Sequence, residues 1–170
     1  MSRIDDYEPN CIEDELRGWA FHANKRRALC GKKGRKFLVE LEAALLALPE
    51  KRLARGVMAK RDATKVLSDC GDVCALGAVA LKRAMDSGRS KGAAIAELAK
   101  ASEEAALIGD TGWYEIERAS ESLKISMPLA FGVVEENDEG EGEWTRNVTP
   151  EQRYERVLAW VRAKLSGTPG

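Results

Sequence analysis

Phe37, Leu38, Leu41, Ala44, Leu45 and Leu48 recur at i, i+1, i+4, i+7, i+8 and i+11. At 3.6 residues per turn this spacing gathers six apolar side chains on one face of a helix, and no period-two strand can do so. Pro49 follows and ends the element. A helix over about Lys36 to Leu48 is therefore expected, and its face must be buried against other helices. Ala, Leu, Glu, Lys and Arg dominate the rest of the chain, aromatics make up 6%, and clusters of β-branched residues are rare. That composition favours helix throughout. A length of 170 residues is enough to enclose one core. The expected fold is mainly α, a compact multi-helix single domain over residues 1–170. Residues 1–10 and 166–170 are expected to be loose.

Further helices follow from the same periodicity. Ile12, Leu16, Trp19, Ala23 and Leu29 predict a first helix ending near Cys30. Gly31 and Gly34 flank a basic break before the second. Residues 50–68 read two ways, as short helical turns or as a hairpin whose second strand ends at Val73. The runs Gly56-Val57-Met58 and Thr64-Lys65-Val66-Leu67 are weak strands, so one short β-hairpin before Cys74 is kept beside the helical reading. Leu76, Val79, Ala80 and Arg83 predict a helix from Ala75 to about Met85, closed by Asp86-Ser87-Gly88. Gly77 lies inside it at a cost of about 1 kcal/mol relative to alanine, which close approach of another backbone would explain. An alanine-rich helix is expected over 92–107, a turn over 108–112, a helix over Trp113 to Lys124, and a helix start at Ser126-Met127-Pro128. Thr149-Pro150-Glu151-Gln152 is the clearest cap in the chain, with Thr149 at N-cap, Pro150 at N1 and Gln152 at N3. It opens a helix that buries Tyr154, Val157, Leu158, Val161 and Leu165.

No apolar run reaches the ~18 residues of a membrane span, and the polar start Met1 to Asp6 is no signal peptide. A cytoplasmic location in a bacterial cell is expected, with Cys11, Cys30, Cys70 and Cys74 reduced. Cys70 and Cys74 stand four apart. A structural zinc site would need a second ligand pair assembled from Cys11, Cys30 or His22, the only histidine. Buried free thiols are the simpler reading, and neither a metal nor a cofactor is expected. Nucleophilic catalysis would need Cys30 or Cys74 beside His22, and no spacing supports such a pair. No catalytic residue is assigned. Trp113, Tyr114, Trp144 and Trp160 serve either as interface anchors or as core.

The net charge of −1 hides strong segregation. Lys25, Arg26, Arg27, Lys32, Lys33, Arg35 and Lys36 place seven cations in thirteen residues without an acid. They form the first candidate binding segment, for phosphates, nucleic acid or an acidic partner. It is no Walker A loop, since no Gly-Lys-Ser/Thr follows. The bland alternative is a solvated helix connection whose cations meet the chain's own acids. Glu135, Glu136, Asp138, Glu139, Glu141 and Glu143 form an acidic, glycine-broken loop, the second candidate, for docking a basic partner. Its spacing does not fit an EF-hand.

A discontinuous signature links these pieces. It runs Gly31-Lys32-Lys33-Gly34-Arg35-Lys36-Phe37-Leu38-Val39-Glu40-Leu41, then Ala47-Leu48-Pro49-Glu50-Lys51-Arg52-Leu53, then Gly71-Asp72-Val73-Cys74-Ala75-Leu76-Gly77-Ala78-Val79. It ends with Glu136-Asn137-Asp138-Glu139-Gly140, Thr149-Pro150-Glu151-Gln152-Arg153 and Trp160-Val161. In this order it resembles an uncharacterised family of small proteins encoded by bacteriophages and prophages. The chain departs from that family at 54–69 and 82–122, where insertions are expected. The family carries no assigned activity, so the resemblance implies provenance. It points to a non-enzymatic binding protein acting on a host bacterial protein or complex, as an inhibitor of a defence system. The alternatives are a nucleic-acid or nucleotide binder using residues 25–36, and a small enzyme whose site the sequence does not display.

Overall fold

The structure, a computed structural model, describes residues 11–55, 59–61, 71–107, 113–138 and 148–167. In chain order these form α1 (Cys11–Cys30), α2 (Lys32–Ala47), β1 (Ala59–Arg61), β2 (Gly71–Val73), α3 (Ala75–Asp86), α4 (Lys91–Leu107), α5 (Trp113–Leu123), α6 (Met127–Asp138) and α7 (Pro150–Ser166). The fold is mostly helical, as the composition predicts. β1 and β2 pair antiparallel, Ala59 opposite Val73 and Arg61 opposite Gly71, so the second strand ends at Val73. The weak runs at 56–58 and 64–67 lie outside the described residues, as do 1–10, the turn at 108–112 and the tail 168–170.

α2 is the central helix. Its apolar stripe is buried: Leu38, Leu41 and Leu45 are wholly covered, Phe37 and Ala44 nearly so. Burying each large aliphatic side chain contributes about 1.5–3 kcal/mol, so this one face anchors the fold. α3 and α7 pack along α2, α1 crosses it, and α6 packs against α1, α3, α5 and α7. Val79, Val133, Val157 and Val161 complete the same apolar cluster. α7 runs antiparallel to α2. Arg35 near the start of α2 donates through Nη2 to the Leu165 carbonyl at 2.7 Å. At the opposite end the Leu53 N–H donates to the Pro150 carbonyl at 3.0 Å.

The caps explain where these helices start and stop. Thr149 Oγ1 accepts from the Gln152 N–H while Gln152 Oε1 accepts from the Thr149 N–H, the reciprocal capping box the sequence predicts. Cys74 caps α3, its sulfur accepting from the Gly77 N–H at 3.4 Å. Several C-termini are finished by cations, two of them from distant sequence and one local. Arg83 Nη1 donates to the Leu123 carbonyl of α5 at 2.7 Å. Arg156 Nη2 donates to the carbonyls of Glu136 and Asn137 at the end of α6, at 2.8 and 3.0 Å. Lys51 Nζ covers the Leu46 and Leu48 carbonyls at the end of α2. Each cation satisfies orphan acceptors and meets the negative end of a helix dipole.

One polar node ties the lower end of the core together. Asn137, 1% exposed, accepts through Oδ1 from the Ala75 N–H at 3.1 Å. Its Nδ2 donates to the Ala54 carbonyl at 2.9 Å and to Asp138 Oδ1 at 2.7 Å. The Ala54 N–H in turn donates to the Val73 carbonyl at 2.9 Å. Arg153, also buried, donates through Nη1 to the Leu53 carbonyl at 2.9 Å. The segment Leu53–Ala54 is thus held by α6, α7 and β2 together.

Two boundaries differ from expectation. α2 starts at Lys32, five residues before the apolar stripe, so the basic segment is not a broken loop. Its ladder runs nearly through the joint: the Gly31 N–H donates to the Arg27 carbonyl and the Arg35 N–H to the Gly31 carbonyl, both at 2.9 Å. α6 continues to Asp138, so Glu135, Glu136 and Asp138 are helical and not part of an acidic loop. The reason is that Arg156 satisfies carbonyls of the last turn of α6, while the Asn137 side chain ties that turn to Ala54 and Ala75.

Candidate binding surface

The joint between α1 and α2 is an elbow built for close contact. Gly31 is extended (φ −70, ψ 162) and supplies no side-chain cap to α2. Gly34, one turn later, is buried against the last turn of α1. A Cβ placed there would lie 1.9 Å from the Ala28 carbonyl oxygen and 2.7 Å from that of Leu29. The glycines therefore serve helix crossing, not the approach of backbone to an anion.

The seven cations of the segment divide into two groups. Lys25 is inward: its ammonium pairs with Glu135, with only 18% of its side chain exposed, and its stem covers Gly132 of α6. Arg35 is spent on the Leu165 carbonyl. Arg26, Arg27, Lys32, Lys33 and Lys36 are exposed, and none forms an ion pair among the described residues. The nearest acids on α2 are already committed. Glu40 takes a bidentate contact from Arg83, at 2.5 and 2.8 Å. Glu42 Oε1 accepts from Arg162 Nε at 2.8 Å. The hydrogen bond from Arg83 holds the Glu40 carboxyl below its usual range, and the same bond raises Arg83.

The placing of these cations runs against helix electrostatics. Arg27 sits in the last turn of α1, where a cation is favoured. Lys32, Lys33 and Arg35 sit in the first turn of α2, which holds no acid, at the positive end of its dipole. Each such cation costs about 0.3–1 kcal/mol. Arg35 has a structural return in its bond to α7. Lys32, Lys33 and Lys36 have none among the described residues.

The acidic candidates do not gather into one patch. Glu135 is held by Lys25. Glu136 is buried at 6% exposure, with Arg156 Nε 3.4 Å from its Oε1, an ion pair lacking hydrogen-bond alignment. Asp138 accepts from Asn137. Glu139, Glu141 and Glu143 lie outside the described residues. The docking-loop reading is therefore corrected for Glu135 and Glu136, which brace α6 against α1 and α7.

The structure also places the groups considered for chemistry. His22 is exposed on α1, its ring edge-on to Phe21. Cys30 lies eight residues further along the same helix, about 12 Å away at 1.5 Å per residue, which separates that pair. Cys74 is fully buried, and desolvation pushes its thiol up to about 12 against a smaller opposing effect of the Gly77 N–H, so a thiolate does not form at neutral pH. Cys70 lies outside the described residues. No group of three or more His, Cys, Asp or Glu suited to a metal occurs among the described residues. Alkylation of the folded protein should accordingly modify Cys30 rapidly and Cys74 only after unfolding, as peptide mapping by mass spectrometry would show. Among the aromatics, Trp113 is 48% exposed and packs with Phe21 and Phe131, ring centroids 5.7 and 5.9 Å away. Tyr114 lies under Arg118, Trp160 packs partly against the core, and Trp144 lies outside the described residues.

Asn137, Arg153 and Arg156 are the residues that sequence reasoning missed. Nothing in their spacing marks them, because their partners lie 19 to 100 residues away, Asp138 and Val148 apart.

No family model matches this chain, and no curated protein or solved structure matches it. No helix among the described residues is long and apolar enough to cross a membrane.

Proposed function

We propose that this is a small non-enzymatic binding protein whose contact surface is the basic elbow of α1 and α2, and that its partner is a host bacterial protein or complex with an acidic face. The observation that carries the reading is the pair Lys32 and Lys33, exposed cations in the first turn of α2, its unfavourable end. A local rule broken without structural return is a sign of a functional constraint. Clustered like charge speeds encounter with a complementary surface more than it deepens affinity. The resemblance to phage and prophage proteins supports a host target and, more finely, inhibition of a defence system.

The reading makes a paired prediction. Replacing Lys32 and Lys33 by glutamate puts acids in the first turn of α2, which should raise stability by about 1 kcal/mol while abolishing partner capture. Urea denaturation reads the first effect. Affinity purification from bacterial lysate with quantitative mass spectrometry reads the second. Failure to recover a stoichiometric partner with the wild-type chain, or equal recovery with the variant, would refute the reading.

A second reading, nucleic-acid binding, rests on the same five unpaired cations. If all five neutralise phosphates of a duplex, log Kobs should fall with log salt at a slope of about −4.5. Fluorescence anisotropy with a labelled duplex decides it; a flat profile excludes the reading.

A further inference from the structure

The outward face of α2 carries an unpartnered apolar stripe. Val39 is 57% exposed and Leu46 48%, two of the four large hydrophobic side chains exposed among the described residues. With the exposed Ala43 between them they stand at i, i+4 and i+7, one line along the helix directly opposite its buried face. Nothing among the described residues uses this line: α3 and α7 flank it, Arg83 reaching Glu40 on one side and Arg162 reaching Glu42 on the other.

The stripe is charged at both ends, with opposite sign. On the N-terminal side it continues into Lys36 and Lys32. On the C-terminal side stands Glu50, with α7 contributing Glu155. Because α7 is antiparallel to α2 and Arg162 marks the level of Glu42, Glu155, seven residues before Arg162, comes level with the C-terminal end of α2, just beyond the stripe. Of the cations near that end, Arg52 is within 3.8 Å of Glu50 and 3.9 Å of Glu151, and Lys51 is turned onto the helix carbonyls. Lys36 lies seven residues before Ala43 on α2, while Glu50 lies beyond the end of the helix at Ala47, past the extended cap Leu48.

A surface of this pattern complements itself after a half-turn. We infer that the protein forms a two-fold homodimer in which α2 packs antiparallel on α2 of a second copy, with Ala43 at the axis. The rotation sets Val39 against Leu46 of the other copy, and Lys36 against Glu50 and Glu155, twice over. This is the isologous arrangement expected of most homodimers. The small side chain of Ala43 lets the helix axes approach, and the opposed helix dipoles favour the antiparallel sense. The elbow cations Arg26, Arg27, Lys32 and Lys33 stay outside the seam.

Sedimentation equilibrium of the full chain over a micromolar concentration series tests the inference. The weight-average mass should rise from 18.7 kDa toward twice that value. Val39→Glu with Leu46→Glu should hold it at the monomer mass with unchanged circular dichroism, since both side chains are exposed. Lys36→Glu alone, and Glu50→Lys with Glu155→Lys, should each weaken association by about tenfold or more. An equimolar mixture of these two charge variants should recover the wild-type dimer, because each then faces its opposite. A monomer at every concentration would overturn the inference. So would a dimer that survives Val39→Glu with Leu46→Glu, or a mixture no tighter than its components.

Discussion

Replacing Gly34 by alanine is expected to cost the folded state about 4 kcal/mol, although alanine is the better helix former by about 1 kcal/mol. The added methyl would stand 1.9 Å from the Ala28 carbonyl oxygen and 2.9 Å from its carbon. Overpacking against side chains that can rotate costs about 1–3 kcal/mol. Here the obstacle is backbone, and relief requires α1 to lift away from α2, taking Leu29 off the core. Urea denaturation should show a large drop in midpoint, with the slope kept if the unfolded state is unchanged. Gly88→Ala is the control. Gly88 has φ +89 with nothing within 4 Å of the added atom, so only the left-handed conformation is penalised, by about 1–2 kcal/mol. A Gly34→Ala variant no less stable than Gly88→Ala would show that the elbow is not packed as described.

Asn137→Leu should be nearly as damaging, for a different reason. Leucine keeps the branching and heavy-atom count, though its methyl groups are bulkier, and it strands the Ala75 N–H and the Ala54 carbonyl in the core. An unsatisfied buried group costs about 1–3 kcal/mol, so a loss of about 3–5 kcal/mol is expected. Asn137→Asp separates the two halves of the node. Its ionised carboxylate still accepts from Ala75 but opposes the Ala54 carbonyl and sits beside Asp138, while its protonated form can donate to Ala54. Burial and like charge raise the folded pKa of such an acid. A raised acid pKa gives stability that is present at low pH and lost as pH rises through the folded value. Asn137→Asp should therefore fall further below wild type as pH rises from acid to neutral, whereas the Asn137→Leu deficit should stay flat. Thermal melts across that range distinguish the two.

These two positions also mark the limit of what was legible in the chain. Periodicity located α2, α3, α5 and α7 because each buries a stripe whose members are neighbours along the helix. The Thr149 box was readable because both partners sit three residues apart. The basic segment looked like a loop because two glycines in six residues usually mean a turn, yet Gly34 is small to let helices touch and Gly31 only bends the path. Glu135 to Asp138 looked like a loop because charge without apolar periodicity suggests solvent. What keeps them helical is Arg156 and the Asn137 node, reached across the fold. Of the two charged candidates, the basic one survives as exposed surface in six of its seven residues, one of which, Arg35, is spent on the Leu165 carbonyl. The described part of the acidic one is largely absorbed into internal pairing, which no count of charges could foretell.

The antiparallel seating of α7 on α2 has a consequence for synthesis in the cell. Arg35 waits for a carbonyl 130 residues away, and Leu53 for one contributed by Pro150. While α7 is still in the ribosomal tunnel, the emerged chain carries the central helix α2 with the side that α7 covers left open. α1 to α6 can gather but not close. A transcript cut short before codon 150, or a ribosome stalled there, would release a product that exposes Leu38, Leu41 and Leu45, a substrate for chaperones and proteases. Docking of α7 is thus the step that closes this face of the core.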